Sequence, residues 1–330
     1  MIQVNLTNAV IGGLTLGTAS LYYRFFYGRV LGISGFLGAV INPLDSVESF
    51  KRLFILGLLS SGFFAHYLSN SLINSDLSVV NLSFYHASIS GLLVGVGTRL
   101  GNGCTSGHGL CGMSRFAIRS LVSVLTFITT GAITRMIFNT SPAESFVINS
   151  SNITLPTITP LAVAFSICAV SYVASHTVWN KAKFLNSLSL VWGVLFGSGL
   201  IMTQMTSQQK VFDFLNFPSL FTDKIRFDPS LAVVLASGLV PSLIGNVMMN
   251  EKKPLLCKTS HLGDPSRKVT FNLVLGAALF GIGWGLGGIC PGPGIVLFGN
   301  EIASGKAGLS GPMTMWTLAF FLGSQLAAHH

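Results

Sequence analysis

Charged side chains are scarce in this chain: Asp, Glu, Lys and Arg make up 9% of 330 residues, while hydrophobic residues make up 50%. With a mean hydropathy of +0.66, there is too little polar material to coat a water-soluble surface, which points to a polytopic membrane protein with the lipid bilayer as its surroundings. Acids are scarcest of all, 10 against 19 basic residues. Asp45 and Glu48 only flank a hydrophobic run, so no chain of membrane-embedded carboxylates points to proton coupling. No polar stretch is long enough to form a soluble domain. The N-terminal segment lacks a charged start and a small-residue cleavage pattern, and so reads as a first span that is kept. No Walker A pattern, CxxC pair, cofactor motif or metal-ligand cluster occurs, so no cofactor, no metal and no catalytic residue is assigned and the chain is not expected to be an enzyme.

A window of about 19 residues places hydrophobic spans near 8–27, 53–70, 84–100, 115–138, 159–179, 187–205, 229–249, 269–288 and 311–327, nine in all. Arg135 and His176 fall near span ends, where such side chains reach the interface. The net charge of +9 implies no nucleic-acid partner, because 14 of the 19 basic residues sit in the odd-numbered loops, among them Arg29, Lys51, Arg99, Arg115 and Arg119. The positive-inside rule then predicts an outside N-terminus and a cytoplasmic C-terminus. The sequons at Asn5, Asn81, Asn139, Asn149 and Asn152 all fall in the N-terminal tail or the even loops, in accord with that orientation.

Five cysteines, an odd number spread through apolar segments, do not make a disulfide framework. Two of them stand 186 residues apart in matching surroundings: Gly95-Val-Gly-Thr-Arg-Leu-Gly-Asn-Gly-Cys104 and Gly281-Ile-Gly-Trp-Gly-Leu-Gly-Gly-Ile-Cys290. Duplicated, interrupted hydrophobic segments point to a transport site near the bilayer midplane. The predicted fold is all-α: about nine transmembrane helices plus short re-entrant helices, in two inverted repeats arranged 4+1+4. Residues 1–140 form the first repeat, 141–185 a linker with a central span, and 186–330 the second repeat. Five spans separate each equivalent pair, so the second copy enters from the opposite side. The short apolar stretches Arg29 to Gly38, and Gly197 to Met205 with Lys210 to Asn216, read as re-entrant.

Thr105 or Ser106 after the first cysteine, and Pro291 or Pro293 after the second, are residues that start helices. Each thiol is therefore expected beside a helix N-terminus, where free N–H groups and the dipole favour an anion and glycines allow close approach. The candidate substrate-binding residues are Cys104, Cys290, Gly103, Thr105, Gly107, His108, Gly288 and Gly292. A soft thiol suits a sulfur-containing anion. The alternative from another class is a membrane thiol oxidoreductase or sulfurtransferase in which Cys104 and Cys111 cycle through a disulfide or persulfide. Cys168 and Cys257 read as structural, Arg99 as snorkelling to the interface.

Gly103-Cys-Thr-Ser-Gly-His-Gly-Leu-Cys-Gly112, Gly283-Trp-Gly-Leu-Gly-Gly-Ile-Cys-Pro-Gly-Pro293 and Gly28-Arg-Val-Leu-Gly-Ile-Ser-Gly35 resemble the motifs of the YeeE/YedE sulfur-transport permeases. The whole chain resembles a fusion of the two half-size members of that family. The resemblance implies an hourglass-shaped plasma (inner) membrane importer of thiosulfate or a related small inorganic sulfur anion, with central cysteines relaying the ion and a cytoplasmic sulfurtransferase as a partner. It places Cys104 and Cys290 at two relay positions. A third family cysteine falls where this chain has Ile33-Ser-Gly-Phe-Leu-Gly38, and Met202 or Met205 would supply soft sulfur instead.

Overall fold

In the computed structural model, residues 2–41, 49–68, 82–138, 146–149, 155–177, 181–216, 227–248, 254–255 and 268–329 are described. Cys257, Asp45, Glu48, Asn81, Asn139 and Asn152, with Lys224, Arg226, Lys252, Lys253, Lys258 and Arg267, lie outside the described residues. The N-terminal part of the chain supplies α1 (Leu6–Tyr27), α2 (Ile33–Ile41), α3 (Ser49–Leu68), α4 (Phe84–Leu100), a π-helical turn (Thr105–Gly112) and α5 (Ile118–Ile137). After α6 (Leu155–Thr177) come α7 (Lys181–Met202), α8 (Gln208–Leu215), α9 (Ser230–Met248), α10 (Phe271–Gly287), α11 (Pro291–Ala303) and α12 (Pro312–Leu326). A short parallel ladder pairs Ile2–Asn5 with Phe146–Asn149, joining Asn5 to Asn149.

Every predicted span coincides with a helix. By length and apolar composition alone, Ile118–Ile137, Ser230–Met248 and the run Phe271–Ala303 are long enough to cross a membrane, with Ile158–Ala174 and Asn186–Met202 shorter apolar helices. Apolar side chains also face outward: Phe165, Val170 and Val173 on α6 are 58%, 56% and 59% exposed, an arrangement that suits hydrocarbon and not water. One boundary differs from the sequence reading. Gly197 to Met202 continues α7, and the chain breaks only at Thr203, so α8 alone is the short element of that half. Gln204, with φ 55, makes the turn.

Helix ends follow their capping residues. Thr270 Oγ1 accepts the Leu273 N–H at 3.3 Å to start α10, and Gly288, with φ 65, ends it. Pro291 and Pro312 occupy first-turn positions of α11 and α12, where a missing N–H is harmless. Glu301 of α11 caps α12, accepting the Met313 N–H at 2.9 Å, the Thr314 N–H at 2.8 Å and the Thr314 hydroxyl at 2.7 Å.

Small residues set the helix crossings. A Cβ on Gly97 of α4 would run into the backbone of Phe280 and Gly276 on α10, while a Cβ on Gly283 of α10 would meet Ser90 and Val94 on α4. Likewise α1 crosses α9 at Gly17 and Gly238, and α3 crosses α7 at Gly57 and Gly193. Gly95 of α4 abuts Phe320 of α12, as Gly281 of α10 abuts Phe127 of α5. Aromatic side chains fill the junction of α1, α2, α3 and α7, where Tyr22, Tyr23, Phe36, Phe54 and Trp192 are essentially sealed from solvent.

Candidate functional site

Both repeated cysteines occupy the residue just before a helix, in extended backbone: Cys104 at φ −129, ψ −170 and Cys290 at φ −105, ψ 166. The expected caps Thr105 and Ser106 are displaced by one or two positions, since Cys104 itself holds the N-cap. Neither thiol makes a side-chain capping bond. Glycines at 107, 109 and 112 leave the first of these helices wide, a π turn in place of α. In the first turn of α11, Pro291 and Pro293 lack N–H groups, so Gly292 alone of these three offers one.

The two thiols line one cavity of about 70 Å³, and both residues are 2% exposed. Thr105, Gly292, Met205, Phe214 and Trp284 share its wall. Cys104 Sγ lies 3.2 Å from Ser106 Oγ, and that hydroxyl accepts the N–H of Ile33 at 3.2 Å. Ile33, at the start of α2, also faces the cavity. It occupies the segment to which the resemblance assigns a third cysteine, so an apolar group is offered there.

Behind this wall lies a second, wetter recess of about 320 Å³. Arg29, Lys51, Arg99, Arg115 and Arg119 line it, and no acid does among the described residues. The partition is one residue thick. Ile33, Cys104 and Ser106 face the thiol cavity, whereas their neighbours Gly32, Gly103 and Gly107 face the basic recess. Gly32 and Gly107 oppose one another, each so placed that a Cβ would stand 3.7 Å from the other's Cα.

Seven of the eight predicted residues thus line one side or the other: Cys104, Thr105, Cys290 and Gly292 at the thiols, Gly103, Gly107 and His108 in the recess. The His108 ring, however, is engaged inside the fold: Nε2 donates to the Gly101 carbonyl at 2.9 Å, and Nδ1 lies 3.1 Å from the Ser120 hydroxyl. Gly288 is one step further out, packed on Phe212 of α8. Arg99 joins the recess instead of simply reaching an interface. Met205 reaches the thiol cavity and Met202 does not line it. Cys111 Sγ sits 3.0 Å from Ser20 Oγ and donates to the Leu31 carbonyl at 3.6 Å, engaged away from Cys104.

Sequence reasoning missed the charges on the far side of the cavity. Lys210, Asp213, Asp228 and Arg135 are all buried there, at 3%, 3%, 1% and 8% exposure, and Glu301 is buried at 7%. Arg135 does not snorkel: its guanidinium lies 4.1 Å above the Phe212 ring. The polar spacing Lys210-x-x-Asp213 on a short amphipathic helix was the available signal, since it pairs opposite charges on one face.

A helical bundle with an apolar exterior, interrupted helices at its centre and a cation-lined recess leading to buried thiols has the build of an integral membrane transporter. Residues 2–134 match the family described as "Sulphur transport", and residues 184–327 match a family described as one of unknown function, DUF6691. Two proteins from Xylella fastidiosa, each named "Probable transporter", are similar: one from strain Temecula1 is 33% identical over 38% of this chain and 89% of its own length. The other, from strain 9a5c, is 39% identical over 42% of this chain and 85% of its own length. Each relative is therefore about half this size. The chain belongs to the YeeE/YedE-like sulfur-transport family of membrane transporters.

Proposed function

We propose that this transporter takes up thiosulfate or a closely related small sulfur-containing anion across the plasma membrane, through the cavity that holds Cys104 and Cys290. The observation that carries the reading is the meeting of two repeated, buried thiols in one cavity behind a recess with five cationic side chains. The recess, on the exit side, draws the anion out of the cavity by its potential. The thiols, poor donors to hard oxyanions, interact favourably with a polarizable terminal sulfur, and the first-turn N–H groups after Cys104, with that of Gly292 after Cys290, stabilise its charge. Met205 adds a third sulfur to the wall.

Two inverted repeats, 1–140 and 186–330 about a linker of 141–185, are part of the proposal. Reciprocal packing supports them: shifting Gly97, Gly276 and Phe280 by 186 positions gives Gly283, Ser90 and Val94, the residues of the mirrored contact. With nine spans and the basic loops inside, the N-terminus is outside, the C-terminus is cytoplasmic and the recess opens to the cytoplasm, where a sulfurtransferase would receive the cargo. Such a site binds and relays the anion; Cys111, engaged with Ser20 and Leu31, lends no support to a Cys104–Cys111 redox pair.

Reconstituted vesicles loaded with the Cys104→Ala or Cys290→Ala variant should lose uptake of labelled thiosulfate by at least tenfold while the protein stays monodisperse in detergent. Wild-type uptake by both variants would end the thiol reading, and sulfate passing as fast as thiosulfate would replace it with passage by size.

A further inference from the structure

Phe214 of α8 and Leu231 of α9 form part of the wall of the thiol cavity and do not border the basic recess. Four residues before Phe214 stands Lys210, and three before Leu231 stands Asp228, so the charged pair lies just beyond this apolar wall. Lys210 Nζ is 3.8 Å from Asp228 Oδ2, with side chains 4% and 1% exposed. A charge-assisted hydrogen bond closes to about 2.7–2.9 Å, so this pair is held by charge without a bond. Asp228 Oδ1 accepts the Ser230 N–H at 2.8 Å, whereas Oδ2 has no hydrogen-bond partner. The ammonium of Lys210 also lies in the field of Asp213, which in turn faces Arg135. Two cations and two carboxylates thus hold α8 in place. Gln208 Nε2, donating to the Gly287 carbonyl at 2.6 Å, links that helix to the segment leading into Cys290.

We propose that the Lys210–Asp228 pair is the gate on this side of the path and that Lys210 is its first anion-binding group. A small inorganic anion arriving from the α8 side takes the place of Asp228 at Lys210, Asp228 is released into the water that enters with the anion, and α8 moves with Phe214 to open the cavity. A buried charge is tolerated only when matched, and an incoming anion matches Lys210 as the carboxylate did; a cation or neutral solute offers no such exchange. The half-satisfied Asp228 is the partner able to leave. This rests on the transport reading of the thiol cavity.

The test uses the full-length protein in oriented vesicles, a membrane-impermeant maleimide applied from the α8 side, and mass spectrometry of the adduct on Cys290. Asp228→Asn should raise the labelling rate at least tenfold, and the exchanged pair Lys210→Asp/Asp228→Lys should return it towards wild type. Removing the ammonium as well, in Lys210→Met/Asp228→Asn, should leave labelling high but raise the half-saturating thiosulfate concentration at least tenfold over Asp228→Asn. If Asp228→Asn does not fold, the double neutral variant serves for the labelling arm. Unchanged labelling in folded protein, fast labelling in the exchanged pair, or a half-saturation indifferent to Lys210 would each overturn the gate. Labelling needs no cargo, so a failure of the thiosulfate assignment leaves it interpretable.

Discussion

The two sides of the thiol cavity handle charge in opposite ways. On one, Arg29, Lys51, Arg99, Arg115 and Arg119 ring a recess of about 320 Å³ with no acid in its described lining; on the other, Lys210 and Arg135 are buried among Asp213 and Asp228. Water and counterions can screen the first set, so a concentrated positive potential is sustainable there. The second set is dry. It must be neutral within itself, and its cations reach an anion only by giving up a carboxylate. One short helix borders each side, α2 at the recess and α8 at the packed end.

The sharpest way to break this comparison is to close the open side. Gly107→Leu should fill the gap facing Gly32 and reduce thiosulfate uptake by about a hundredfold, with Cys290 labelling from the α8 side unchanged; uptake near wild type would mean that the path does not cross that partition. A smaller effect is expected from Arg99→Gln with Arg119→Gln. Thiosulfate entry from the recess side should slow about threefold to tenfold at low ionic strength and less at high salt, because screened charges steer over about 10 Å at 0.1 M. A loss independent of salt would instead assign these arginines to direct contact. The smallest effect concerns Glu301, a buried acid unlike Asp228 in having both oxygens hydrogen-bonded. Glu301→Gln should destabilise the protein by about 1–3 kcal/mol, read as a lower unfolding temperature in detergent, with neither uptake nor Cys290 labelling altered in the folded fraction. A rise in labelling would make burial of an acid, and not the open oxygen of Asp228, the feature that matters.

Much of this was legible before any coordinates. Hydrophobic runs located every long helix, because in an apolar medium the backbone has little choice but to satisfy itself within each segment. The repeated Gly-rich breaks located both thiols, since glycine at a helix end is one of the few strong local signals. What was not legible lies in packing between distant segments. Lys210 falls in a stretch that reads as re-entrant, but nothing in the sequence pairs it with Asp228, which stands just ahead of α9 and is buried against it only by the packing of the two segments. Arg135, at the end of a span, is drawn to an aromatic face on α8 that no local pattern displays. His108 looked like a ligand for an anion, yet its two ring nitrogens are taken up by Gly101 and Ser120.

The clasp between α4 and α10 has a mechanical consequence. At Gly97, Gly276 and Gly283 backbone rests on backbone with no side chain between, so the halves cannot roll past each other without prising apart their tightest seam. On the proposed transport reading, rolling α4 against α10 is thereby penalised, and work falls to pieces a few turns long, such as α2 and α8, on either side of a rigid spindle. Turnover of that kind would be set by flaps, with the midline still throughout the cycle.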